Sequence, residues 1–145
     1  MKITVNEDPA VTQPEITIRC AGTDERILRI LSLLRAYDLK LTGIRDGQYH
    51  LLDAGEVLYA ETVDRHCFLY TLSEVYETPL RLYELEDRLA GVDFFRSSKS
   101  MVISLNHVRS IRPELGGRLQ LTMSNGEKLF VSRQYAGTLR GMLGL

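Results

Sequence analysis

The chain has 145 residues, of which 44% are hydrophobic and 26% are charged. This length and composition are typical of one folded domain with a short extension, with enough apolar side chains for a core. The most apolar stretches, Ile30–Leu34 and Val57–Ala60, are too short to span a bilayer. Residues 1–14 lack the apolar segment of a signal peptide, so we expect a cytoplasmic protein.

The net charge of −1 conceals an uneven distribution along the chain. Residues 1–93 hold 10 Lys and Arg against 17 Asp and Glu, whereas residues 94–145 hold 8 Lys and Arg against only Glu114 and Glu127. Such asymmetry indicates a polyanionic partner, or equally a basic part of the fold that pairs with the acidic part. Charge alone leaves both interpretations open.

The first 40 residues are predicted to form a small β-β-α extension. Lys2–Asn6 and Glu15–Cys20 alternate apolar and polar residues, which is the period of half-buried strands. Thr23 is a candidate N-cap for a helix over residues 24–37, where apolar residues recur at helical spacing. We expect this extension to have a structural or dimerising role.

Residues 41–145 are predicted as the main unit, made mostly of short strands. The dipeptides Asp46-Gly47 and Asn125-Gly126 favour tight hairpin turns, and Gly91 is a candidate left-handed stop for a short helix over residues 82–90. The chain closes with a predicted helix, Gln134–Leu143, that buries Tyr135, Leu139 and Met142. The predicted strands are Leu39–Ile44, Gln48–Asp53, Glu56–Thr62, His66–Leu72, Val75–Leu80, Met101–Leu105, Val108–Arg112, Arg118–Ser124 and Lys128–Ser132.

These elements predict a β-dominated α+β fold, with mostly antiparallel sheets and short helices, preceded by the β-β-α extension. No pair of helices resembles a helix-turn-helix motif.

Motifs of catalysis and metal binding are absent from the sequence. There is no nucleophile elbow, phosphate-binding loop, dinucleotide fingerprint or zinc-protease motif. His50 and His107 are isolated, and His66 and Cys67 are adjacent on a predicted strand, so their side chains point to opposite faces. Cys20 and Cys67 form no CxxC pair. We expect neither an enzyme nor a metal or cofactor site.

Two runs in the basic C-terminal third are candidate binding sites. In the first, Ser97, Ser98 and Ser100 offer hydroxyl groups around Lys99, whose ammonium suits a phosphate or a guanine edge. A serine-rich turn that only caps a strand is the simpler alternative, and for this run alone it is favoured.

In the second run, Ser132 is a good N-cap for the last helix and Arg133 falls in its first turn. A cation there opposes the helix dipole, which suggests an anion outside, such as a phosphate near the free N–H groups. Gln134 follows in the same run. The alternative, an arginine that reaches a carboxylate of the protein itself, is equally well supported.

These runs are also where the sequence resembles the LytTR family of DNA-binding domains, over about residues 41–143. Val57–Glu61 is similar to the family's "I-x-Y-I-E" strand, and Leu82–Leu89 to its short "L-x-x-L-E-x-x-L" helix. Phe94–Ile103 is similar to "F-x-R-x-H-x-S-[FY]-[LIV]-[VI]-N". The block Gly117–Leu121, with Asn125-Gly126 and Val131–Arg133, is similar to the closing "L-x-L-x-[DN]-G…V-S-R".

The resemblance implies a bacterial transcription regulator that inserts loops of a β-sheet domain into the major groove of bent double-stranded DNA. Carried over to this sequence, the expected contacts are His66, Lys99, Ser100 and Arg133. It also implies direct-repeat sites, occupancy by a homodimer, and for short regulators of this kind a separate small membrane partner protein. No small-molecule substrate is expected.

Two positions depart from the family pattern. Ser98 stands where the family commonly has His, and Ser104 where it commonly has Asn. The first departure affects the expected recognition loop, so the preferred DNA sequence can differ from that of other members. The second concerns support of the loop.

Two rival functions follow from the same residues. The basic C-terminal face could instead bind an acidic protein surface, as a protein–protein interaction module. RNA binding would need aromatic side chains exposed on a sheet face. We expect Phe94, Phe95 and Phe130 in the core, which disfavours RNA. The DNA interpretation requires that Lys99 and Arg133 meet at one positively charged edge.

Overall fold

The computed structural model describes all 145 residues and contains ten β-strands and three α-helices. The helices are α1 (Glu25–Asp38), α2 (Leu82–Arg88) and α3 (Arg133–Leu143). The strands are β1 (Lys40–Arg45), β2 (Gln48–Asp53), β3 (Tyr59–Val63), β4 (His66–Tyr70), β5 (Val75–Thr78), β6 (Phe94–Ser98), β7 (Met101–Ser104), β8 (Val108–Pro113), β9 (Leu119–Met123) and β10 (Lys128–Val131). The predicted sheet-dominated α+β fold is confirmed.

The strands form two sheets in which every pairing is antiparallel. The larger sheet has the order β2-β1-β5-β4-β3-β7-β6, and the smaller has the order β10-β9-β8. Asp46 and Gly47 join β1 to β2 with φ values of 51° and 73°, the left-handed pair that a type I′ hairpin requires. Because consecutive strands are joined by such short turns, residues at the turns project from the ends of the sheets.

Two apolar cores lie on opposite faces of the larger sheet. The first contains Leu41 and Leu69 of the sheet with Leu85 of α2, all fully buried. The second joins β3, β6 and β7 to the smaller sheet and α3, through Ile103, Leu121 and Leu139. Burial of such side chains is the main driving force for this packing. The second core therefore holds the start of α3 close to β6.

The two strands predicted in the N-terminal extension are not present in the single chain. Residues 1–24 contain neither helix nor strand, and every side chain there is exposed except the half-buried Ile18. The prediction of Lys2–Asn6 and Glu15–Cys20 as strands is wrong here because alternation defines the faces of a strand, whereas a strand also needs a hydrogen-bonded neighbour. The helix of the extension is confirmed as α1.

Several element ends differ from the prediction. The side chain of Asp24, not that of Thr23, caps α1 by accepting a hydrogen bond from the Ile27 N–H at 3.0 Å. The left-handed residue after α2 is Asp93, with φ of 57°, not Gly91. The predicted strand Glu56–Thr62 begins only at Tyr59, because Ala54–Glu56 forms a 3-10 turn.

The final helix buries most of the predicted face, with Met142 as the exception. Leu139 and Ala136 are buried, Tyr135 is half-buried, and Met142 is exposed. Residues 136, 139 and 143 recur at helical spacing on one face, and Leu143, not Met142, is the last side chain that packs against the second core. None of the three helices is long and apolar enough to cross a membrane.

Candidate nucleic-acid interface

Three of the predicted contact residues line one groove on the larger sheet. His66 is the first residue of β4, and Lys99 and Ser100 form the turn between β6 and β7. The Thr62 N–H donates to the Ser100 carbonyl at 2.8 Å, which joins this turn to β3. The resulting groove has a volume of about 810 Å³ and is lined by His66, Lys99 and Ser100 together. Sequence reasoning links them only through the family resemblance.

The groove is positively charged. Besides Lys99, its lining includes the arginines Arg65, Arg81 and Arg96, and its only acid is Glu77. Glu77 is engaged by His66, since its Oε1 lies 2.7 Å from His66 Nδ1. A concave surface with several cations and one paired carboxylate attracts a polyanion. Sequence reasoning missed Arg65 and Arg81, although Arg65 directly precedes His66 in the turn between β3 and β4.

Arg96 braces the turn that carries Lys99. Its Nε donates to the Ser98 carbonyl at 2.7 Å, and its Nη2 donates to the Lys99 carbonyl at 2.5 Å. Nη1 also reaches Glu86 Oε2 at 3.5 Å. A planar guanidinium with donors in a fixed fork suits two successive carbonyls in this way. Arg96 therefore fixes the backbone from which the Lys99 side chain extends.

The three serines of the first run have different roles in the fold. Ser97 is fully buried, and its hydroxyl donates to the Met101 carbonyl at 3.3 Å. Ser98 Oγ accepts the Ser100 N–H at 3.2 Å and lies 3.3 Å from Ser100 Oγ. Ser97 and Ser98 belong to strand β6, so only Lys99 and Ser100 form the exposed tip.

Arg133 lies beside this tip. It is the first residue of α3, directly after Ser132, whose N–H donates to the Ser97 carbonyl at 2.8 Å. Arg133 is exposed and forms no ion pair with the protein, and the same is true of Lys99. Arg133 therefore does not reach a carboxylate of the protein itself, which was the alternative interpretation of this residue. Both cations are therefore available to a partner, and the Ser132–Ser97 hydrogen bond brings the backbone before Arg133 to the strand that leads to Lys99.

The N-cap side chain of α3 does not bind the free backbone N–H groups in the first turn of the helix. Ser132 occupies the N-cap position as predicted, but its hydroxyl accepts no hydrogen bond from the helix. Gln134, the next candidate, is exposed in the first turn. A helix start with free N–H groups and positive dipole suits an anion.

Gly117 makes room for the Arg133 side chain. A Cβ atom built on Gly117 would lie 3.2 Å from Arg133 Cγ, and Gly117 has a φ of 82°. Both the left-handed backbone and the close approach favour glycine. The aliphatic part of Arg133 thus passes over the turn Leu115–Gly117, which orients its guanidinium.

The assignment of Phe130 to the core is wrong. Its side chain is 45% exposed, and the guanidinium carbon of Arg118 lies 5.3 Å from the ring centroid. Neighbouring Leu129 and Val131 are buried, so Phe130 projects from the opposite face of β10. The predicted burial of Phe94 and Phe95 is confirmed. Arg118 covers one face of the Phe130 ring, so burial disfavours RNA binding at Phe94 and Phe95 but not at Phe130.

Two titratable groups in the apolar cores are structural, Cys67 in the first core and Tyr59 in the second. Burial raises the pKa of the Cys67 thiol, which belongs to the first core. Burial, with a hydrogen bond from its hydroxyl to Glu127 Oε2 at 2.9 Å, raises the pKa of Tyr59 well above its usual range. Both groups therefore stay protonated at neutral pH, and neither has the lowered pKa that an activated nucleophile needs.

A two-sheet fold with a basic groove and an arginine free of ion pairs at a helix start suits a polyanion such as a nucleic acid. The chain belongs to the LytTR family, because the model of the LytTr DNA-binding domain matches residues 47–144. The resemblance found in the sequence is thereby confirmed. A solved LytTr DNA-binding domain from Bacillus cereus superposes with a TM-score of 0.70 at 26% identity, covering 73% of this chain and 97% of that one.

Two groups of relatives resemble the chain over different lengths. The sensory transduction protein LytT of Bacillus subtilis is 31% identical over 93 residues, which are 64% of this chain and 39% of LytT. The chain therefore spans about two fifths of the length of that relative. An uncharacterized HTH-type transcriptional regulator of Staphylococcus aureus, SAS2254, is 22% identical over 147 residues, covering 100% of this chain and 99% of that protein. In the present fold five strands separate each helix from the next, so no two helices form a helix-turn-helix.

Proposed function

We propose that this protein is a sequence-specific DNA-binding transcription regulator whose contacts come from loops of its sheets. The observation that carries the proposal is the edge at which Lys99 and Arg133 lie exposed and unpaired, joined by the Ser132–Ser97 hydrogen bond. Duplex DNA is the polyanion that fits a family of DNA-binding domains and a groove with four cations.

The turns at the groove are the elements proposed to enter the major groove. Lys99 and Ser100 project from the tip between β6 and β7, and His66 from the neighbouring tip between β3 and β4. Side chains on such tips can donate to guanine or accept and donate at other base edges. Arg133 and Gln134, at the start of α3, are proposed to bind the adjacent strand of the same site.

The proposed DNA site is a pair of direct repeats, each bound by one copy of the domain. If the loops of one copy enter successive grooves, the duplex bends, and affinity then depends on base steps that the protein never contacts. A regulator of this kind acts in the cytoplasm on DNA and turns over no substrate.

Selection of bound sites from random double-stranded DNA tests the proposal. We expect enrichment of a recurring motif, and gel shifts on that motif should weaken steeply as salt rises, because phosphate contacts release counterions. Recovery of no motif, together with capture of an acidic protein that depends on Arg133 and is not displaced by DNA, would instead identify a protein-interaction module.

A further inference from the structure

The larger sheet has two edges with different surroundings. At one edge, β6 is joined to the start of α3 by the hydrogen bond between Ser132 and Ser97. At the other edge, β2 pairs with β1 alone and nothing lies beyond it. A strand in this position presents unpaired N–H and C=O groups, and proteins usually protect it with lysine, proline or a bulge. From Gln48 to Asp53, β2 contains none of these, and its register with β1 is regular.

The surface beside β2 is apolar and only partly covered. Tyr49 and Leu51 on the strand are about three quarters exposed, at 76% and 75%. Helix α1, which packs against β2 and the turn Ala54–Glu56, leaves Leu28 and Leu33 half-exposed. Tyr49 and Leu51 project from the face of β2 opposite to Leu52, whereas α1 packs on the Leu52 face through Ala36, so apolar side chains are exposed on both faces beside this edge.

The chain itself carries a segment with the right pattern to complete this edge. Glu15–Cys20 alternates apolar and polar residues and is rich in β-branched side chains, which favour strands. In the single chain it forms no strand, and Ile16 is 69% exposed. An open edge and an unpaired strand-like segment in the same molecule are complementary.

We propose that Glu15–Cys20 of one copy adds to β2 of a second copy as an antiparallel strand, and that the exchange is reciprocal. With Cys20 opposite Gln48, Ile18 lies opposite His50 and Ile16 opposite Leu52. The apolar residues of the added strand then face the same side as the buried Leu52, towards α1 and the first core. Exchange of identical elements between two copies closes a dimer at little structural cost.

This strand exchange goes beyond the proposed function and does not depend on it. The exchanged strand lies at the β2 edge, whereas Lys99 and Arg133 lie by the β6 edge, at the other end of the strand order. The two surfaces can therefore be inactivated separately. A dimer formed at β2 leaves the groove of each copy free for DNA.

The oligomeric state in solution tests the exchange. The full chain should have the mass of a dimer by light scattering, and Ile16→Asp/Ile18→Asp should have that of a monomer, because two carboxylates would be buried against α1. Ile3→Asp/Val5→Asp is the matched control and should remain dimeric. A monomeric full chain, or an Ile16→Asp/Ile18→Asp protein that stays as dimeric as the original, would overturn the proposal.

A disulfide then distinguishes exchange between copies from pairing within one chain. In the proposed register, the thiol introduced by Gln48→Cys faces Cys20 of the other copy, so oxidation with diamide should yield a covalent dimer on a non-reducing gel. The same protein with Cys20→Ser should yield none. A disulfide between Cys20 and the introduced thiol of the same chain, or failure to form either bond, would contradict strand exchange.

Binding to DNA separates this proposal from the proposed function. Ile16→Asp/Ile18→Asp should keep its affinity for a single repeat and lose the preference for paired repeats, whereas Arg133→Ala should remain dimeric and lose DNA affinity. A dimer that binds no DNA would contradict the proposed function and leave strand exchange supported. A chain that binds DNA but never dimerises would contradict strand exchange and leave the proposed function supported.

Discussion

The backbone N–H of Ser132 donates a hydrogen bond to the carbonyl oxygen of Ser97 at 2.8 Å, across two segments that are far apart in the sequence. Arg133 follows the donor directly, and Lys99 follows the acceptor by two residues. This single contact therefore joins the start of α3 to the tip between β6 and β7. The proposed DNA contact is assigned to the edge that these two cations would share.

Replacement of Lys99 or Arg133 by alanine should weaken DNA binding. If the side chain contacts a base, the loss is expected at about 1–3 kcal/mol and should relax the preference at one position of the site. If it contacts only phosphate, the loss should be similar for all sequences, and the slope of log K against log salt should fall by about one unit. Gel shifts of each variant on selected and scrambled DNA distinguish these outcomes.

Replacement of Arg96 should impair DNA binding through the turn that it braces. Arg96→Ala removes the donors to the Ser98 and Lys99 carbonyls, and we expect a loss of about 1–3 kcal/mol in unfolding free energy together with weaker DNA binding. Arg96→Lys keeps the charge but lacks the forked donors, so it should not restore affinity. Full affinity in Arg96→Lys would show that charge alone, not the brace, is what matters.

Replacement of Gly117 should disturb Arg133 specifically. Gly117→Ala introduces a Cβ that would lie 3.2 Å from Arg133 Cγ, and the left-handed backbone adds a strain of about 1 kcal/mol. Gly116→Ala is the matched control, because Gly116 has nearly the same φ, 81°, and open space around its Cβ position. Both variants should lose similar stability in thermal unfolding, and only Gly117→Ala should lose DNA affinity beyond that. Equal DNA affinities would contradict the role given to Gly117.

Replacement of His66 should weaken DNA binding. His66 Nδ1 lies 2.7 Å from Glu77 Oε1, so His66→Ala would leave the Glu77 carboxylate unpaired in the groove, where it repels a polyanion. His50→Ala, on the strand at the far edge of the sheet, should bind DNA as the original does. Gel shifts on the selected site compare the two variants, and equal affinities would exclude a role for His66.

The sequence predicted the strands well where hairpin chemistry and alternation agreed, as at Asp46-Gly47 and in Leu119–Met123. It failed for Phe130, which is large and apolar but alternates with the buried Leu129 and Val131 and so lies on the opposite face of β10. It failed for Glu15–Cys20 because alternation says nothing about whether a strand has a neighbour.

The candidate site could be predicted only in part. The residue types at Lys99 and Arg133 were visible, but their proximity depends on one long-range backbone hydrogen bond that no local pattern encodes. The hydrogen bonds from Arg96 to the turn could not be predicted either, since they depend on which carbonyls the turn points towards the guanidinium. The roles of Arg65 and Arg81 depend on strand order, which brings separate turns to one groove.

The affinity of Lys99→Ala/Arg133→Ala for the selected DNA site tests the central claim most directly. The double variant should lose specific binding at every salt concentration, while Lys2→Ala/Arg29→Ala, which removes the same two charge types from exposed positions outside the groove, should bind nearly as the original does. Full affinity in Lys99→Ala/Arg133→Ala would contradict the claim that this edge binds DNA.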